Sequence, residues 1–227
     1  MTSYPLSPAR STLPDPACFE EVAAAQPQDV ASALAFSIWR ALEAADGRRD
    51  GRPVAMVTTP LFENERGRMF GWGARRLGLT QDRILLVKAR REVEALWALE
   101  EALKSGAVAA ALAPLEAPSF VATRRLEFAA RAGQASALVL RTKPPEDLSA
   151  ARLRWRVSAA PSALNPLDAR APGPARLTAQ LARSRNGQNG HFILEQDHET
   201  GRFRLAAGLA DHGLAAQPDR ADAQHAA

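Results

Sequence analysis

Residues 84–113, ILLVKARREVEALWALEEALKSGAVAAALA, hold one complete strand, helix and strand. Ile84-Leu85-Leu86-Val87 is a continuous apolar run, which predicts a strand buried on both faces. From about Arg91 to Lys104, the residues Val93, Leu96, Leu99, Ala102 and Leu103 fall on one helical stripe, with Lys104 in the last turn and Gly106 at the C-cap position. Val108 to Ala113 then returns as a strand. A connection of a dozen or more residues through a helix joins parallel neighbours, whereas antiparallel neighbours need only a short turn.

The same alternation extends in both directions. Towards the C-terminus, Ser119 caps a helix that runs to Ala132 with Leu126 and Ala130 inward, Gly133 ends it, and Ala137-Leu138-Val139-Leu140 is the next buried strand. Towards the N-terminus, Phe19 to Val22 is a short strand. Asp29 caps a helix marked by Leu34, Ile38 and Leu42, with Gly47 past its end, and Val54 to Val57 follows as a buried strand. Thr58 to Gly67 reads as a polar loop, and Met69 to Leu77 as a short amphipathic segment. This order predicts an α/β fold with a mostly parallel sheet flanked by helices on both faces. Trp39, Trp72, Trp97 and Trp155 are assigned to its core.

Beyond Ala150 the pattern changes from helical crossovers to strands and tight turns. Leu153, Trp155 and Val157 alternate with Arg152, Arg154 and Arg156, and further strands cover Leu177 to Leu181, Phe192 to Leu194 and Phe203 to Leu205. Asn186-Gly187 and Thr200-Gly201 are their turns. The sheet is therefore expected to end in antiparallel C-terminal strands, with Pro161 to Pro174, which holds four prolines, as an exposed loop. Residues 1–16 also hold four prolines and read as a flexible arm, 17–206 as the domain, and 207–227 as a mobile tail.

A chain of 227 residues fits one such domain with tails. Its formal charge of +4 is too small to imply a polyanion partner, but Ala117 to Gly190 carries twelve basic and four acidic residues, net +8, leaving −4 for the remainder. Cys18 is the only cysteine, so no internal disulfide forms, and no secretory or membrane-spanning run is present. A cytoplasmic protein without membrane association is expected.

A parallel sheet with a helix after its first strand invites a phosphate-loop search, because a helix N-terminus and backbone N–H groups bind anions there. The junction from Val22 to Ser32 contains no glycine and no lysine, and Asp29 would repel a triphosphate. A metal-binding carboxylate is also missing, since the strand ending Leu112-Ala113-Pro114-Leu115 has Pro114 where an acid would be needed. Glu63 and Glu65 read as loop charges. The four histidines lack metal-ligand spacing, and no cofactor is expected. The fold is thus a degenerate nucleotide-binding one, without catalytic residues.

The remaining candidate site is basic. In a strand, Arg152, Arg154 and Arg156 share one face about 7 Å apart, near one phosphate step of a nucleic-acid strand. Arg183 and Arg185 flank the Asn186-Gly187 turn and extend the patch. The five arginines are candidate DNA contacts, against the alternative of a solvated sheet face whose arginines discourage edge pairing.

Three stretches together resemble a known family: Ser105-Gly106-Ala107-Val108 followed by Ala122-Thr123-Arg124-Arg125-Leu126-Glu127-Phe128, then Arg154-Trp155-Arg156-Val157-Ser158, then Arg183-Ser184-Arg185-Asn186-Gly187 leading to Gly201-Arg202-Phe203-Arg204-Leu205. In this joint order, spanning about Phe19 to Ala206, the chain is similar to the ImuA family of bacterial damage-inducible mutagenesis proteins. The resemblance implies a RecA-like fold in which Val30 stands where RecA has its phosphate-loop lysine and Pro114 where it has its metal-binding aspartate. It also implies a non-enzymatic accessory role in SOS-induced translesion synthesis. The implied partners are a Y-family-like polymerase partner and an error-prone replicative-type polymerase; a recombinase filament is the alternative partner expected, and weak DNA contact is expected of the arginine face. Two alternatives stay open: a cell-division inhibitor similar to SulA, and a nucleotide-binding RecA-type ATPase.

Overall fold

The structure is a computed structural model that describes residues 13–206 apart from 70, 144–147, 166, 169 and 188. The expected arm over residues 1–12 and the tail over 207–227 lie outside the described residues. Residues 13 and 14, also expected in the arm, are packed: Leu13 lies against the core and the Pro14 carbonyl accepts from Arg40 Nη1 at 3.0 Å.

The strands β1 (Phe19–Ala24), β2 (Val54–Thr58), β3 (Ile84–Lys88), β4 (Ala110–Leu115), β5 (Ser136–Arg141), β6 (Leu153–Ala160), β7 (Arg176–Ser184), β8 (Gly190–Gln196) and β9 (Phe203–Leu205) form one sheet. Its order is β3-β2-β4-β5-β1-β6-β7-β8-β9. The first six strands in that order are parallel and the last three are added antiparallel. This is the expected α/β arrangement of a mostly parallel sheet with antiparallel C-terminal strands.

The handedness of crossovers decides which helix lies on which face. Moving from β1 to β2 and from β2 to β3 goes one way across the sheet, while β3 to β4 and β4 to β5 go the other way. Right-handed connections therefore place the two groups on opposite faces. Accordingly, α1 (Val30–Arg48), α2 (Pro60–Arg66) and α3 (Gly71–Arg76) pack in one core with Phe36, Trp39 and Trp155, whereas α4 (Glu92–Lys104) and α5 (Phe120–Ala132) pack in another with Phe19, Leu99 and Leu126. The alanines let these helices lie close to the sheet. Large residues concentrate under α1, where Phe36 meets Trp155 edge-on with ring centroids 5.2 Å apart.

Several local expectations change. The Thr58 to Gly67 stretch is mostly helix, because Thr59 accepts from the Phe62 amide and Pro60 supplies a preset first helical residue. Gly47 lies inside α1, whose end is the left-handed Arg49. The strand β3 is not fully buried: it is the sheet edge, with Leu85 48% and Leu86 45% exposed. In α4 the inward stripe is Ala95, Leu99 and Leu103, while Val93 is exposed. At 100° per residue, Val93 lies 120° from Leu99, whereas Ala95 lies only 40° away. Trp72 and Trp97 are exposed rather than in the core; Trp39 and Trp155 are buried.

Pro114 has a structural consequence as well as an electrostatic one. It pairs with Leu140 of β5, but the β2–β4 ladder ends at Met56 and Leu112, and a residue without an N–H cannot donate to a neighbour on that side.

Candidate functional site

Two places bear on function: the turn from β1 into α1, and the face of the antiparallel strands that α1 does not cover. In a nucleotide-binding sheet the first would cradle phosphate. Here Pro27 to Asp29 form a single 3₁₀ turn, and the Asp29 carboxylate, buried at 6% exposure, accepts from the Gln26 amide at 3.1 Å and from the Ala159 amide of β6 at 2.9 Å. The Ala25 amide is also used, donating to the Val157 carbonyl at 2.7 Å. The turn that could have bound an external anion carries the chain's own carboxylate, stitched to β6. Pro27 removes one further N–H from the start of the helix.

The second place is set by the pleat of β6. Leu153, Trp155 and Val157 enter the core beneath α1, so Arg152, Arg154 and Arg156 emerge on the α5 side. The structure gives these five arginines two different employments. Arg154 is half-buried and lies 3.0 Å from Glu21 of β1, a carboxylate that is 2% exposed. Arg152 and Arg185 both reach Glu127 of α5, at 3.4 and 3.0 Å, and Arg185 also donates to the Ala150 carbonyl. Arg156 and Arg183 are exposed and have no ion-pair partner among the described residues. The sequence-based patch of five is thus three internal ties and two open cations.

A bulge sharpens that division. Arg154 faces Arg183 across the β6–β7 ladder, but Trp155 faces Leu181, so Ala182 is an extra residue that bends β7 beside the turn. Along the next row, Arg156, Gln180 and the exposed His191 stand side by side across three strands. The outcome is an open polar sheet face with two exposed guanidinium groups that no described residue pairs, able to contact phosphates without base-specific geometry.

Sequence reasoning missed the buried acids. Glu20 and Glu21 are neighbours in the central strand, so they point to opposite faces. Glu20 accepts from Arg40 at 2.7 and 3.1 Å, from the Trp155 indole at 2.8 Å and from the Ala17 amide at 2.8 Å. Glu21 accepts from Ser149 at 2.7 Å and lies between Arg141 at 3.5 Å and Arg154. The available signal was two acids inside an otherwise apolar strand, since a carboxylate buried there must find cations. Among the described residues, no group of three His, Cys, Asp or Glu side chains could hold a metal ion, and no helix is long and apolar enough to cross a membrane.

No protein-family model matches the chain. Protein ImuA from two strains of Caulobacter vibrioides is 37% identical to it over 189 residues, covering 72% of this chain and 77% of the relative. Among solved structures, the crystal structure of SulA from Pseudomonas aeruginosa is 29% identical with a TM-score of 0.45, and covers 57% of this chain and 100% of that one. The identity to the two Caulobacter proteins, extending over more than two thirds of both sequences, places the chain in the ImuA family of damage-inducible mutagenesis proteins.

Proposed function

We propose that this chain is a non-enzymatic accessory protein of SOS-induced, error-prone translesion DNA synthesis, acting in the cytoplasm. Its body docks a Y-family-like polymerase partner and, through it, an error-prone replicative-type polymerase, or engages a recombinase filament. Arg156 and Arg183 add weak contact to DNA, while Arg152, Arg154 and Arg185 hold that face in shape. The observation that carries the non-enzymatic reading is the Asp29 carboxylate in the β1–α1 turn, satisfied by the Gln26 and Ala159 amides. A triphosphate arriving there would meet a buried negative charge instead of free N–H donors.

Two measurements test the reading. Titration calorimetry of the full chain with ATP and Mg²⁺ is expected to give no heat; binding tighter than about 100 μM would establish a nucleotide site and end the accessory reading. Size-exclusion chromatography with the purified polymerase-like partner, and separately with a recombinase filament, is expected to give a co-eluting complex with at least one of them. Separate elution from both at micromolar concentrations removes the docking role.

A further inference from the structure

On the α1 face, opposite Arg156 and Arg183, α1, α2 and α3 enclose a cavity of about 800 Å³ with the ends of β2 and β3 and the start of β7. That is far larger than a packing void in a close-packed interior, and it lies within the range of ligand pockets. Its floor is apolar, made by Leu34, Ile38, Met56, Phe62, Leu177 and Phe203. Its rim is cationic: Arg66, Arg68, Arg76, Lys88 and Arg176 line it against only two acids, Glu63 and Glu65.

The rim charges are not internally consumed. Glu63 alone serves both Lys88, at 3.3 Å, and Arg68, at 3.4 Å, and these two cations are 55% and 81% exposed. Among the described residues, Arg66 donates only to the Pro27 carbonyl, at 3.3 Å, and Arg76 has no ion-pair partner. Arg176 is the exception, neutralised by Glu195 at 2.6 Å. An apolar floor under a rim with surplus positive charge selects an occupant that is apolar at its centre and acidic at its edges. Nucleic acid suits the polar sheet face better, because bases placed on this floor would lose the hydrogen bonds of their edges.

We propose that this cavity is the docking site for a linear segment of a partner protein in which one or two bulky apolar side chains are flanked by Asp or Glu. The inference rests on the accessory reading above and supplies its contact surface. Because peptide and DNA would occupy opposite faces of the sheet, holding one leaves the other free.

Random twelve-residue peptides displayed on phage, selected against the immobilised full chain, test this directly. The expected winners combine Leu, Phe or Trp with neighbouring Asp or Glu. As synthetic fluorescent peptides, they should bind Ala31→Trp, which fills the cavity mouth from an exposed position of α1, at least about tenfold more weakly. Arg68→Glu combined with Lys88→Glu should weaken them similarly, and Arg156→Ala combined with Arg183→Ala should leave them unchanged. If Ala31→Trp melts early by circular dichroism, the rim variant carries the comparison.

The proposal is overturned if no sequence is enriched, if the winners are basic, or if they bind the folded cavity and rim variants, Ala31→Trp and Arg68→Glu with Lys88→Glu, as tightly as the parent chain. It is likewise overturned if a small amphiphile co-purifies in the cavity by native mass spectrometry. Capture of the polymerase-like partner separates the two levels: capture by both the parent chain and Ala31→Trp keeps the accessory role and removes this docking site. Acidic-apolar peptide binding without partner capture does the reverse.

Discussion

Glu20 and Arg40 show how much one buried ion pair can decide in this core. Both are within 2% of full burial, and the carboxylate has four hydrogen bonds, one of them from the Trp155 indole. Desolvating two charges is costly, but with this geometry the pair is satisfied; removing one partner leaves the other stranded. Arg40→Leu should therefore destabilise the chain by about 3–5 kcal/mol in urea unfolding, read as a lower midpoint. Adding Glu20→Leu should recover part of that loss, because the stranded carboxylate is then gone; a double variant less stable than Arg40→Leu alone would show that the carboxylate is held chiefly by its other donors. None of this pairing is legible from periodicity. Glu20 and Arg40 are 20 positions apart, and Glu20 and Trp155 are 135 apart, so only the folded register brings them together.

At the scale of elements, Asp46 fastens pieces that the sheet alone does not lock. From the last turns of α1 it meets Arg83, just before β3, at 2.7 Å, and Arg202, just before β9, at 2.5 Å. Burial works against its ionised form, but the hydrogen bonds and charges of the two arginines outweigh that and hold its carboxyl below the ordinary aspartate range. A lowered folded-state pKa means the clamp is at full strength above the ordinary value of 3.8 and is lost as pH falls through the lowered one. The parent chain should exceed Asp46→Asn in stability at neutral pH by about 1 kcal/mol or less, since the site is partly solvated, and the gap should close in strong acid. Thermal melts of both across pH 7 to 2 check this; a gap that widens on acidification contradicts the clamp. The parallel elements were legible because alternation of apolar runs and capped helices is local. The edge position of β3 was not, since Ile84 to Val87 has the same composition whether it lies inside a sheet or at its margin. The helix α2 was legible in principle, from Thr59 and Pro60, but its polar residues hid it.

For the whole molecule, the useful distinction is between arginines that hold the fold and arginines that face solvent. The sequence placed Arg152, Arg154, Arg156, Arg183 and Arg185 on one basic surface, and could not tell which were already paired, because Glu21 and Glu127 come from distant segments. The structure makes the two groups separable by experiment. Among the described residues Arg156 and Arg183 have no ion-pair partner, so changing both to alanine should leave the unfolding midpoint nearly unchanged. If they contact single-stranded DNA, each phosphate they neutralise contributes about 0.7 to the slope of log affinity against log salt, so the double variant should flatten that slope by about 1.4. Arg154→Ala should behave in the opposite way. It strips a cation from the buried Glu21, which lowers the melting temperature, but it removes little free charge from the surface and should alter the slope much less. Fluorescence titrations of a labelled oligonucleotide across a salt series, paired with melts of the same proteins, separate the two effects. An unchanged slope for Arg156→Ala with Arg183→Ala would remove DNA from the function of this face, whatever the melting curves show.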